Sequence, residues 1–495
     1  MRFAALGVWV LPFLTLAFDP SKWEVTTLPG LSEPVNFKHY SGFLNAADGR
    51  QLHYWFMESQ RSPTDDPLLL WLTGGPGCSA LSAVATELGP FRIGPLGVNV
   101  TMNPYSWNKA SRFRSVANII FLEAPAGVGF SYDPTGVYVS DDTKATEDNY
   151  LALLDFFDKY PQFKRNDFYA MGDSYGGIFV SLIMQRILRN PQGLNVKGYG
   201  IGNGAVDFKL HFKATIFYAN YHSLLGRDLW DQITSNCCNN SISEETCDFT
   251  MDPKRIACAI PVAKVYNLVF KSGLNFQNLY DLCNLTETQL GLLPRRPEVT
   301  RQYATNHVLD TAVDQETTVK CSYNEDMTLY YNRRDVIEAL HVEQSPLEWV
   351  PCAKELNFTK QHMTVRDVIQ ELIDYGSLKT IIFNGDVDMV CTSLGGEWFV
   401  RSLGVQTTTG LFRPFGIEVQ ASWTIEGRRV WGEERPPRCL RLPETNSRAF
   451  VTRAFSAAGA RATLSAAAGL LRCPPPSSSF RRFATGDTFL GKFGC

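Results

Sequence analysis

The chain has 495 residues, of which 44% are hydrophobic and 20% charged, with a formal net charge of −3 at pH 7. Such a length can bury a large core, as one elaborated domain or two. A balance this close to neutral excludes the bulk field that draws a protein to nucleic acid or to a membrane surface.

Residues 1–17 place Arg2 before an apolar run that ends in Thr15-Leu16-Ala17, the pattern of a secretory signal peptide. The run is too short to span a bilayer and no later segment is long enough, so no membrane span is expected. The mature chain is expected to start near Phe18, inside the secretory pathway. Four sequons fit that route: Asn99-Val100-Thr101, Asn239-Asn240-Ser241, Asn284-Leu285-Thr286 and Asn357-Phe358-Thr359. Twelve cysteines in a secreted chain suggest disulfides, although spacing alone does not give their connectivity.

From 40 to 55 apolar and polar residues alternate around Asp48-Gly49, which predicts a β-hairpin. Leu68-Leu69-Leu70-Trp71-Leu72 is a continuous apolar run, as expected of a buried parallel strand. It ends in Thr73-Gly74-Gly75-Pro76-Gly77-Cys78-Ser79, a glycine cluster that lets a backbone approach a ligand closely. A second buried strand, 118–122, closes on the segment 123–132, and 147–160 has helical spacing. An apolar run at 168–171 then leads into Gly172-Asp173-Ser174-Tyr175-Gly176-Gly177, followed by apolar residues from Ile178 to Ile183. Strand, Gly-x-Ser-x-Gly turn and helix is the context of a nucleophile elbow. The helix behind Ser174 offers free N–H groups to any anion formed there. Segments 331–340 and 365–375 read as helices, and 380–383 as a strand ending in Asn384-Gly385-Asp386-Val387-Asp388. A carboxylate at that place follows the serine in the order a catalytic triad of this type requires, and the residues leave both Asp386 and Asp388 open. Strands alternating with helices predict an α/β protein with a mostly parallel sheet.

The 71–79 loop, the 123–132 segment, the elbow, Tyr221-His222-Ser223-Leu224-Leu225-Gly226 and Asn384-Gly385-Asp386-Val387-Asp388-Met389 together resemble the serine carboxypeptidase family. The resemblance runs from about residue 21 to about residue 403. It implies an α/β-hydrolase fold with a mostly helical cap insertion. The divisions are then signal 1–17, core 18–204, cap 205–320, core 321–415 and an atypical, disordered low-complexity tail at 416–495. The implied activity is release of C-terminal residues from peptides at acidic pH through an acyl-enzyme. Ser174 would be the nucleophile and Asp388 the triad acid, with backbone N–H groups of Gly75 and Tyr175 forming the oxyanion hole. Thr73, Glu87 and Asp173 would hold the substrate's terminal carboxylate. Glu87 and Asp173 would share a proton, because two close carboxylates do not both ionise cheaply. Family members usually carry Asn at position 73 and Glu at position 173, so recognition here would be weaker or shifted. The implied disulfides are Cys237–Cys258, Cys238–Cys247, Cys283–Cys321 and Cys78–Cys352, leaving Cys391 as a free thiol lining the substrate pocket. Between Cys283 and Cys321 lies Arg295-Arg296, a candidate processing site. The resemblance implies a peptide substrate, no cofactor and no metal, and a lysosomal or secreted location. A homodimer or lysosomal glycosidases are the partners it implies.

Acyl transfer by a serine needs a base to take the hydroxyl proton and return it to the leaving amine. The family supplies this histidine in a Gly-His-Met-Val-Pro-like segment downstream of the acid. This chain has seven histidines, at 39, 53, 211, 222, 307, 341 and 362, and none follows Asp388. From 427 to 495 there are instead 12 basic residues against 4 acidic, alanine runs and Cys473-Pro474-Pro475-Pro476-Ser477-Ser478-Ser479. That composition could serve a basic partner-binding tail. It reads better as a replaced C-terminus, from an alternative exon or a shifted reading frame, because the domain still needs its last strand and helix. The expectation is a carboxypeptidase scaffold without its base. A non-catalytic protective or binding protein on that scaffold is the competing class, and a lipase or esterase is third.

Overall fold

The continuous apolar run at 68–72 is buried on both sides, and that one strand sets the architecture. The computed structural model describes residues 18–109, 116–238, 242–243, 246–249, 255–271, 274–280 and 324–404. It also describes the backbone of three strands, at 407–412, 419–423 and 448–454. The signal segment, the sequons at Asn239 and Asn284, Cys283, Cys321, the Arg295-Arg296 pair and His307 lie outside the described residues.

Among the described residues the first two strands form a hairpin, β1 (His39–Asn45) and β2 (Gln51–Met57), turned by a short 3-10 segment in which Asp48 takes φ 53°. Then come β3 (Leu68–Leu72), α1 (Ala80–Thr86) and the small pair β4 (Phe91–Ile93) and β5 (Val100–Met102). These are followed by β6 (Asn118–Leu122), β7 (Val139–Asp141), α2 (Asp142–Lys159), β8 (Phe168–Ser174), α3 (Gly176–Arg189) and β9 (Val196–Gly204). Three cap helices come next: α4 (Phe208–Tyr221), α5 (Arg227–Cys237) and α6 (Ile256–Lys271). The second half holds α7 (Asn324–Tyr331), α8 (Arg334–Ala339), β10 (Asn357–Thr359), α9 (Arg366–Asp374), β11 (Lys379–Gly385) and α10 (Ser393–Ser402). Strands β12 (Thr407–Phe412), β13 (Val419–Trp423) and β14 (Arg448–Ala454) complete the main sheet.

The ten strands lie in the order β1-β2-β6-β3-β8-β9-β11-β14-β13-β12. From β6 to β14 neighbours run parallel, while the hairpin side and β12–β13 are antiparallel. Because side chains alternate across a sheet, β3 sends Leu68, Leu70 and Leu72 to the layer formed with α2, α3 and α9. Leu69 and Trp71 go to the opposite layer with α1, Tyr331 and Trp349. Burying each such side chain contributes about 1.5–3 kcal/mol, so a run apolar on both faces can only be a central strand. The cap packs its own apolar centre, with Phe217, Ile233 and Val262 against Met389 and Trp398 of the core.

Two readings change. The predicted helix at 331–340 is split, because Asn332 turns out of it to exchange hydrogen bonds with the Trp349 backbone (2.8 Å each way). The tail at 416–495 includes β13 and β14, two strands its composition does not signal, and the rest of it lies outside the described residues. β14 pairs in parallel with β11 over Lys379–Gly385, on the side away from β9.

Disulfides join Cys78–Cys352, Cys237–Cys258 and Cys238–Cys247, and Cys391 is free and buried. Asn99 and Asn357 are both exposed. Expressed in animal cells, the protein is expected to lose mass on treatment with an N-glycan-removing enzyme. An unmodified cytosolic product would overturn that expectation.

Candidate active site

Ser174 ends β8 at φ 53°, in the left-handed region that L-residues avoid. Such a conformation costs on the order of 1–3 kcal/mol and persists only where the surroundings fix it. Here the fixing is close packing. A Cβ on Gly172 would stand 2.3 Å from the Leu72 carbonyl oxygen, and one on Gly176 2.2 Å from the same atom. A Cβ on Gly74 would meet the Tyr175 nitrogen at 2.5 Å. The elbow and the loop after β3 are thus pressed together, and the glycines are there because nothing larger fits. Gly176→Ala is expected to destabilise the chain toward the top of the ~1–3 kcal/mol range for overpacking, or beyond it. Denaturant unfolding of the purified protein measures it, and an unchanged midpoint would refute the packing account.

The same contact brings two backbone segments together. Gly75, at φ 115°, follows the glycine that touches the Tyr175 amide. The loop carrying it is held from below by Glu123. That buried carboxylate accepts from Phe130 N–H (2.9 Å) and Trp349 Nε1 (3.2 Å), bonds the Ser79 hydroxyl, and lies 2.8 Å from His53 Nδ1. Ser79 in turn caps α1 by accepting from Leu81 N–H at 3.1 Å. A Cβ on Gly129 would overlap Glu123. The 123–132 segment is therefore a latch under the glycine loop, a role its sequence does not reveal.

Asp388 lies just beyond β11, next but one to β8 in the sheet. Its Oδ2 accepts from Asn203 Nδ2 at 2.8 Å, and its Oδ1 from Val390 N–H (2.7 Å) and Cys391 N–H (3.3 Å). Burial raises its pKa to about 6 against those bonds, which favour the charged form. Asn203, on the intervening β9, also accepts from Gly385 N–H at 3.0 Å and takes φ 42°. Sequence reasoning missed this clamp. Its only signal is an asparagine between two glycines at the end of a buried strand, where Asn tolerates a left-handed backbone.

Glu87 caps α1, and Asp173 precedes the serine. Burial raises Glu87 to about 7, with Arg92 opposing. Asp173 is pushed well above the carboxylate range, first by burial, then by the Glu87 charge and next by Asp388. Its Oδ1 is buried without a partner. Thr73 faces Asp173, and its hydroxyl accepts from Trp71 Nε1 at 3.0 Å. Burial, then Asp388 and Asp173, push the Cys391 thiol up, so the thiol shares their surroundings. The structure thus gathers Thr73, Glu87, Asp173, Cys391 and Asp388 around the elbow.

No histidine is among them. His39 accepts from Trp55 Nε1 (3.1 Å), and burial lowers it to about 3. His53 lies between Ser41 (2.9 Å) and Glu123. Burial lowers His211 to about 4, and it packs on Gly395. His222 stacks on Tyr218, His341 meets Trp23 edge-on, and His362 gives its backbone N–H to Asp142. Among the described residues, no histidine hydrogen-bonds Ser174 or Asp388, and no group of His, Cys, Asp or Glu could hold a metal ion.

Parallel strands ending in a strained serine turn, a carboxylate two strands away and a helical insertion between them define an α/β-hydrolase. A serine carboxypeptidase family model matches residues 29–426, and the chain belongs to that family. The mouse (Mus musculus) lysosomal protective protein is 36% identical over 406 residues, covering 78% of this chain and 81% of its own. Serine carboxypeptidase ctsa-4.1 of Caenorhabditis elegans is 38% identical over 411 residues, covering 81% and 83%. Among solved structures, a prohormone-processing carboxypeptidase of Saccharomyces cerevisiae, Kex1, superposes with a TM-score of 0.60 at 18% identity. That match covers 88% of this chain and 91% of the yeast one, and it speaks to the fold.

Proposed function

We propose that this chain is a secretory-pathway serine carboxypeptidase scaffold, lysosomal or secreted, that binds the C-terminal end of peptides at acidic pH but lacks its catalytic base. The observation that carries the reading is Ser174, held in a left-handed elbow beside an Asn203-clamped Asp388, in a chain with no histidine after Asp388. In the reaction of this class, the serine oxygen attacks the carbonyl of the last peptide bond. The oxyanion then forms against the N–H groups of Gly75 and Tyr175. The C–N bond breaks as the amine takes a proton, and water releases the acyl group. The first step needs a group to receive the Ser174 proton.

Thr73, Glu87 and Asp173 are the residues we assign to the substrate's terminal carboxylate. At acidic pH the raised pair carries a proton and donates to that carboxylate; at higher pH it ionises and repels it. The test is turnover of a blocked dipeptide at acidic pH by the secreted chain, beside Ser174→Ala. Equal, near-background rates are expected, with weak labelling of Ser174 by a fluorophosphonate. Fast turnover abolished by Ser174→Ala would sink the reading and mean that another group had been recruited as base.

A second reading, a non-catalytic binding or protective protein, is favoured by the retention of the carboxyl pair in a chain without the base. Both readings expect the blocked dipeptide to bind without turnover, so calorimetry that finds no binding opposes both.

A further inference from the structure

One buried carboxylate near the elbow has no part in the reaction described. Asp142 is the first residue of α2 and is fully buried. Its Oδ1 accepts from the Tyr175 hydroxyl at 2.7 Å, and its Oδ2 from the backbone N–H groups of Gln361 (2.7 Å) and His362 (2.9 Å). Tyr175 follows the serine. Its ring is enclosed edge-on by Phe179 (5.2 Å) and Phe358 (5.8 Å), and the Lys360 ammonium stands 5.5 Å from its centroid. Burial, and then the bond to Asp142, raise Tyr175 far above the ordinary phenol range, so the phenol remains the donor.

We propose that Asp142 is a positioning residue for the oxyanion hole, fixing the Tyr175 backbone N–H by gripping the far end of the same side chain. The inference rests on the reading of that N–H as an oxyanion donor. The physical reason for a grip is the strain at Ser174. A left-handed serine relaxes toward the ordinary regions unless its neighbours are fixed, and Tyr175 is the neighbour whose amide that relaxation would turn. One end of Tyr175 is set by the Gly74 contact and the other by Asp142. The grip extends further. The loop that Asp142 holds at 361–362 continues to Met363, whose carbonyl accepts from Phe208 N–H (3.0 Å) at the start of the cap. Lys360 also stands 5.2 Å from the Phe208 ring. Elbow, α2 and the root of the cap therefore share one anchor.

Tyr175→Phe removes the grip and keeps the ring. The control is Tyr54→Phe, which removes a buried hydroxyl bonded to Tyr160 (2.7 Å) elsewhere in the same core. In the full chain, hydrogen–deuterium exchange of the 172–178 segment is expected to rise in Tyr175→Phe and not in Tyr54→Phe at matched melting temperature. In a hybrid whose residues 404–495 give way to a family C-terminus bearing the histidine segment, Tyr175→Phe is expected to lower kcat for blocked-dipeptide hydrolysis roughly tenfold to a hundredfold with KM unchanged. Unchanged exchange at 172–178, or equal rises in both variants, would overturn the proposal. Should Tyr175→Phe not fold, Asp142→Ala serves: it removes the acceptor for the phenol and keeps the Tyr175 ring, and it must raise exchange at 172–178. Failure of the underlying site reading shows separately, as a hybrid whose rate Ser174→Ala leaves unchanged. The exchange comparison still decides the role of Asp142.

Discussion

A hybrid in which residues 404–495 give way to a family C-terminus bearing the Gly-His-Met-Val-Pro-like segment is expected to hydrolyse blocked dipeptides at acidic pH. It should also take a fluorophosphonate on Ser174. The parent chain is expected to label only weakly and to hydrolyse at near-background rates. In a serine protease of another fold, losing the triad histidine costs on the order of 10⁶ in turnover, while the oxyanion hole and binding retain roughly 10³–10⁴ over water. The strand pairing suggests where to graft the histidine segment. β14 pairs in parallel with β11, and its last residue, Ala454, stands opposite Gly385. A chain leaving β14 therefore departs from the same sheet end as Asp388, three residues on from Gly385. In this protein the next residues are Phe455, Ser456 and Ala457, none of which accepts a proton near neutral pH. Grafting the five-residue histidine segment alone over 455–459 is the sharper variant. It should recover part of the labelling if β14 carries the loop, and none if the strand's place is immaterial. A hybrid as inert as the parent, though folded and secreted, would remove the missing base as the explanation.

The fold was legible where chemistry is local. The run at 68–72 announced a central strand because both its faces are covered, and the elbow announced itself because only glycine tolerates the approach of Leu72 and Tyr175. What depends on side chains meeting across the sheet was not legible. Asp386 and Asp388 are equivalent by position, and the Asn203 clamp on Asp388 comes from a residue 185 positions earlier. Asp142 and Glu123 look like ordinary helix-start and loop acids until the chain brings Tyr175 and Ser79 to them. Asn332 breaks a well-patterned helix because the Trp349 backbone offers better partners than the next turn. β14 was not legible because its pairing with β11 joins segments as far apart in the chain as Lys379 and Arg448, in a stretch without strand patterning.

Glu87→Gln is expected to leave stability nearly unchanged near pH 5 and to raise it relative to the parent near pH 8. The sign follows from the direction of the shift. The pKa of Glu87 rises from 4.5 to about 7 on folding, chiefly through burial. Between those values the folded chain holds a proton that the unfolded chain has released, so this group's contribution is full below about pH 4.5 and is lost as pH rises through 7. Asp173 and Asp388, also raised, act in the same sense. His39 and His211, lowered to about 3 and 4, act in the opposite sense, because the unfolded chain gains their protons below about pH 6.5. The difference between parent and variant cancels the histidines and isolates the carboxyl pair. At ~1.4 kcal/mol per pKa unit the Glu87 shift sets an upper bound of about 3 kcal/mol, and its partial exposure brings the expected gain to roughly 1–2 kcal/mol. Asp173→Asn should behave alike, and the two gains should not add, since each variant also relieves the charge pressing on the other partner. Denaturant unfolding of the full chain at pH 5 and pH 8 reads the effect. A difference between parent and Glu87→Gln that does not grow over that interval would mean Glu87 is ionised throughout, and the shared proton assigned to the terminal-carboxylate site would be lost with it.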